Sequence, residues 1–104
     1  MVSIDFTGFY SDNLKTMERI FYGYDSLISV NFSSLTTKNV KAMSDLFEFC
    51  RVLSSVDLSI FDTSNVINMD SMFSFCEKLN YLNLSHFNTN KVINMDSMFY
   101  SCES

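Results

Sequence analysis

The sequence predicts an α/β solenoid of four coils, with a parallel sheet on one face and short helices on the other. Three observations lead there: a 26-residue internal repeat, an alternating segment early in each repeat, and an apolar stripe at helical spacing in its second half.

The repeat is carried by identical or similar residues at fixed separation. Phe21, Phe47, Phe73 and Phe99 stand 26 apart, as do Met17, Met43, Met69 and Met95. Cys50, Cys76 and Cys102 keep the same interval, with Tyr24 in the first slot. Leu14, Val40, Val66 and Val92 form another row, and Phe6, Phe32, Leu58 and Leu84 a further one. The 104 residues divide without insertion into units 1–26, 27–52, 53–78 and 79–104, and the last two units share 15 of 26 residues. The chain is read as one repeat domain, 1–104.

Within a unit, the first element is a short strand, as in Val56-Asp57-Leu58-Ser59 and Leu82-Asn83-Leu84-Ser85, because apolar and polar residues alternate there. Equivalent strands reached by equivalent crossovers pair in parallel. The polar run Asp62-Thr63-Ser64-Asn65 supplies residue types that cap a helix start. Val66, Met69, Met72, Phe73 and Cys76 then fall on one face of a helix of two to three turns, with Asn68, Asp70 and Ser71 opposite. A helix of about ten residues is marginal alone in water. Stacking neighbouring units is therefore expected to turn each row into a ladder in a shared core.

Composition removes several function classes. A hydrophobic content of 47% with 18% charged residues is unlike a disordered chain. A net charge of −5, with Lys15, Arg19, Lys38, Lys41, Arg51, Lys78 and Lys91 scattered, argues against nucleic acid as a partner. The sequence contains no apolar run of the length that crosses a bilayer, so no membrane insertion by this chain is expected. Met1-Val2-Ser3-Ile4-Asp5-Phe6 lacks a basic segment followed by an apolar one, so no signal peptide is expected in this chain, which would be cytoplasmic if complete.

The spacing Cys76-x-x-Leu79-x-x-Leu82-x-Leu84-x-x-Phe87 resembles the strand half of a leucine-rich repeat, with Phe87 where the ordinary repeat carries Asn. The run from Phe61 through Asn65-Val66-x-Asn68-Met69-x-x-Met72-Phe73 resembles the BspA-like leucine-rich-repeat family, in the 26-residue form of mycoplasma-type surface lipoproteins. The likeness covers all four units and is weakest in the first, where Tyr24 replaces Cys and Gly8-Phe9-Tyr10 replaces the polar turn. It implies a right-handed leucine-rich-repeat-like solenoid, a cell-surface or secreted setting, and adhesion to host or neighbouring-cell surface proteins.

In such a coil the outward strand residues are Ser3, Asp5, Thr7; Ser29, Asn31, Ser33; Ser55, Asp57, Ser59; and Tyr81, Asn83, Ser85. Asp5, Asn31, Asp57, Tyr81 and Asn83 are the candidate partner-binding residues, because solenoids bind through extended faces and aromatics and fixed charges dominate recognition. The competing reading of this face is a solvated sheet surface.

No catalytic, cofactor-binding or metal site is expected. The column Asp5, Asn31, Asp57, Asn83 does not converge on one point, as a Ca²⁺ site must. The three cysteines are odd in number and lack metal-binding spacing, and they read as small core hydrophobes. A disulfide between adjacent coils would leave one over. The methionine rows share the stripe with Phe and Val and read as core. His86, the one histidine, reads as a surface turn residue, and no phosphate loop, nucleophile elbow or carboxylate pair is present. Asn31-Phe32-Ser33 and Asn83-Leu84-Ser85 match the glycosylation triplet.

Two expectations result. The first is a non-enzymatic protein-binding module that recognises a surface protein through the strand face. The second is a structural array or spacer segment of a longer solenoid, self-associating through uncapped ends.

Overall fold

The computed structural model describes residues 2–6, 13–32 and 35–102. Two strands form within it, β1 (Val2–Asp5) and β2 (Leu27–Asn31), and they pair in parallel. Ile4 lies opposite Val30 and Asp5 opposite Asn31, so pairing is offset by the repeat length; only Val2, opposite Leu27, falls one residue short. The domain measures 32 × 30 × 22 Å.

No helix occurs among the described residues, and the sheet has two strands. The expectation of an α/β solenoid with four coils, a parallel sheet on one face and short helices on the other is therefore corrected. Two features of the backbone make up the difference.

The first lies in the apolar stripe. In a helix each N–H bonds the carbonyl four residues back. Here, alternate N–H groups bond the next repeat unit instead. Met43 donates to the Asn68 carbonyl at 2.9 Å, Asp45 to Asp70 at 3.0 Å, Phe47 to Met72 at 2.9 Å and Phe49 to Ser74 at 2.9 Å. The same bonds recur one unit on, from Met69 to Asn94, Ser71 to Asp96, Phe73 to Met98 and Phe75 to Tyr100. The intervening amides close turns three residues back, as Leu46 does on Met43 and Cys50 on Phe47. Two residues per unit sit at positive φ, such as Asp45 at 58° and Phe49 at 65°, or Ser71 at 55° and Phe75 at 60°. Each is the third residue of a turn, the placement a type II turn requires, and a right-handed helix excludes it. Turns that recur every four residues still put positions 0, 3, 4 and 7 on one side. That is why the stripe reads as helical and is buried all the same: Val66, Met69, Met72, Phe73 and Cys76 are each fully buried.

The second lies in the strand halves of the third and fourth units, which meet in a single parallel bridge, Ser55 with Tyr81. Asp57 Oδ1 accepts the Ser59 N–H and Asn83 Oδ1 accepts the Ser85 N–H, each at 2.9 Å. These local turns take amides that a longer ladder would use. Asp62, expected to cap a helix, closes the same kind of turn on Ser64 at 3.0 Å.

The core is built from rows of like residues. Phe21, Phe47, Phe73 and Phe99 stack with ring centroids 5.4, 5.5 and 5.7 Å apart. Met17, Met43 and Met69 are buried beside them. Buried polar groups repeat as well. Thr63 Oγ1 accepts the Asn88 N–H at 2.8 Å and donates to the Asn88 carbonyl, as Thr37 does with Asp62. Ser74 Oγ donates to the Ser97 carbonyl.

Candidate functional site

The bridge between Ser55 and Tyr81 sets two exposed residues side by side, and the turns after them return Asp57, Ser59 and His86 to the same surface. Together with Val56, Leu58 and Asn83 they line an open cleft of about 290 Å³. Alternation explains its make-up. Val56 and Leu58 turn inward and are buried, leaving Ser55, Asp57 and Ser59 exposed. Tyr81 is 66% exposed, one of the most accessible large side chains of the domain.

Asp57 is the only charged carboxylate of the lining. The Ser59 hydroxyl and N–H bond its carboxylate and, with a smaller contribution from His86, hold its pKa below the ordinary aspartate value. It is thus an anion at neutral pH. His86 Nε2 lies 2.7 Å from the Leu58 carbonyl. A carbonyl only accepts, so Nε2 carries a proton and donates it to Leu58. The His86 ring also meets Phe87 edge-on at 5.1 Å. None of the seven basic side chains lines this cleft. Lys15 and Lys41, with Asn39 and Asn65, instead border a separate open cleft of about 320 Å³.

Of the five candidate residues, the cleft unites Asp57, Tyr81 and Asn83. Asp5 and Asn31 are not part of it; they lie opposite each other on β1 and β2. Thr7 and Ser33 fall outside the described residues. His86 is exposed, but its bond to the preceding unit ties it to the site, a role hidden in the sequence because a lone histidine carries no spacing signal.

Residues 5–104 match a family described as "Mycoplasma protein of unknown function, DUF285". The chain belongs to the DUF285 family. No curated protein and no solved structure matches the chain. The DUF285 description is compatible with a mycoplasma-type surface repeat protein and carries no activity or ligand. Functional reading of this DUF285 chain therefore rests on its own side chains.

Two other features bear on chemistry. All three cysteines are thiols, each donating to a phenylalanine carbonyl 29 residues earlier: Cys50 to Phe21, Cys76 to Phe47 and Cys102 to Phe73. Burial pushes Cys50 up to about 11 and raises Cys76 and Cys102 as well, which keeps them protonated and poor nucleophiles at neutral pH. A surface ribbon of aromatics was not singled out by the sequence reading, although Phe49 and Phe75 share the 26-residue spacing. Phe49 and Phe75 stack at 4.7 Å, Tyr22 and Tyr100 close the row edge-on, and the Arg51 guanidinium lies 5.2 Å from the Phe49 ring. Their stacked faces are occupied by each other. Among the described residues, no group of three or more His, Cys, Asp or Glu is placed to hold a metal ion, and no helix is long and apolar enough to cross a membrane.

Proposed function

We propose that this DUF285 chain is a non-enzymatic protein-binding module of the BspA-like surface repeat type. It takes a segment of a host or neighbouring-cell surface protein at the cleft around Tyr81. The observation that carries this reading is the cleft itself, where an exposed tyrosine, a carboxylate, an amide and two serine hydroxyls converge on one opening. Tyrosine supplies contact area at low entropic cost, and the polar groups fix orientation. The test is selection of displayed peptides against the folded chain, with selected peptides mapped by amide shift changes. Shifts at Ser55, Asp57, Tyr81 and Asn83 support the reading, as does loss of binding in Tyr81→Ala. Peptides that map to the Lys15–Lys41 cleft instead would refute it.

A second reading, an array segment, is favoured by one observation. The N–H groups of Met95, Ser97, Phe99 and Ser101, whose equivalents bond the next unit throughout the chain, have no acceptor among the described residues. Met95 and Phe99 are 46% and 47% exposed, whereas Met43, Met69, Phe47 and Phe73 are fully buried. A further repeat unit stacked there would satisfy both. Sedimentation across concentration tests this reading: rising mass that Met95→Glu abolishes supports it, and a strict monomer counts against it.

A further inference from the structure

We infer that the Tyr81 cleft selects a cationic side chain, arginine or lysine, on the segment it binds. This rests on the reading of the cleft as the binding site and adds what it recognises.

The argument is one of complementarity. The His86 Nε2–H is committed to the Leu58 carbonyl, and the one carboxylate of the lining is that of Asp57. Asp57 contributes a full negative charge; the Ser59 N–H and hydroxyl bond its carboxylate, whose remaining lone pairs can accept from an incoming donor. Asn83 Oδ1 is engaged by the Ser85 N–H. Tyr81 adds an accessible ring face, attractive to an ammonium and more so to a planar guanidinium. Every lysine and arginine of the chain lies outside this lining, so Asp57 meets no ammonium or guanidinium group there, and it would repel an anionic ligand. The chain's net charge of −5 reinforces the preference for a cation at longer range.

Isotope-labelled chain is titrated with four capped tripeptides, Gly-Xaa-Gly, in which Xaa is arginine, lysine, citrulline or glutamate. Citrulline keeps the shape of arginine and removes its charge. Amide shifts at Ser55, Asp57, Ser59, Tyr81 and Asn83 are expected with arginine and lysine. Citrulline is expected to bind about tenfold more weakly, the sum of one exposed ion pair and one exposed cation–π contact. Asp57→Asn keeps the Oδ1 acceptor that closes the local turn, so the fold is retained; arginine affinity is expected to fall about threefold to fivefold. Asp62→Asn, another exposed aspartate in the same kind of turn but outside the cleft, is expected to change nothing. Equal binding of arginine and citrulline, or an unchanged affinity in Asp57→Asn, overturns the charge selection while leaving the cleft as a binding site. Absence of cleft shifts with every tripeptide, together with selected peptides that map elsewhere, overturns both.

Discussion

Replacing Phe47 by alanine separates the interior of the phenylalanine row from its outer member. Phe47 is fully buried, stacked on Phe21 at 5.4 Å and on Phe73 at 5.5 Å, and edge-on to Phe32 at 6.3 Å. Truncating a buried phenylalanine costs about 3–5 kcal/mol, transfer and cavity together. Loss of two stacked partners at about 0.5–1.5 kcal/mol each places Phe47→Ala in the upper part of that range. Phe99 has one stacked neighbour, Phe73, and is 47% exposed, so Phe99→Ala is expected to cost only about 1–2 kcal/mol. Domains of this size are stable by about 5–15 kcal/mol in all, so the difference is readable. Urea unfolding monitored by tyrosine fluorescence gives both values from midpoints at constant slope. The reasoning fails if Phe99→Ala is as costly as Phe47→Ala, or if Phe47→Ala costs less than about 1.5 kcal/mol, since either outcome would mean that the row is not packed as a continuous stack.

Further outcomes follow from single contacts. Thr63→Val leaves both the N–H and the carbonyl of Asn88 without the Oγ1 partner and is expected to destabilise by about 2 kcal/mol in the same unfolding assay, against near neutrality at exposed Thr89. Gly23→Ala meets nothing within 4 Å of the added carbon, so its cost is the positive φ of 69° alone, about 1 kcal/mol, read as a lowered melting temperature. Thiol labelling at neutral pH is expected to reach half-buried Cys102 well before Cys50 and Cys76; equal rates would contradict their burial. The Ser64 hydroxyl and N–H hold Asp62 below its ordinary pKa, so its turn contributes stability above the unfolded aspartate range that is lost as pH falls through the folded value. A carboxyl titration by NMR should show Ser64→Ala raising the Asp62 midpoint, because the hydroxyl bond is the largest cause of the shift.

The repeat and the core rows were legible in the sequence because identity at a fixed interval survives any choice of backbone: Phe47, Met43 and Val66 are buried as their spacing implies. The backbone was not legible. Over the seven residues from Met43 to Phe49, consecutive four-residue turns and a helix place the same side chains on one face, and they differ in φ at Asp45 and Phe49 and in amide partners that lie in the next unit. Phe49 does not announce a left-handed conformation as Gly23 does at its equivalent position in the first unit. Strand alternation was read in four units and formed strands in two; the third and fourth units meet there only in the Ser55–Tyr81 bridge. In the site, alternation found Asp57, Tyr81 and Asn83. His86 was not found, because its link to Leu58 spans 28 residues and depends on how two units sit against each other.

Hydrogen-bond scalar couplings from the Met43 and Met69 amides test the turn-built stripe most directly. The structure requires Met43 nitrogen to couple to the Asn68 carbonyl and Met69 nitrogen to the Asn94 carbonyl, each across a 2.9 Å bond. Couplings to the Asn39 and Asn65 carbonyls, four residues back, would establish helices and contradict it.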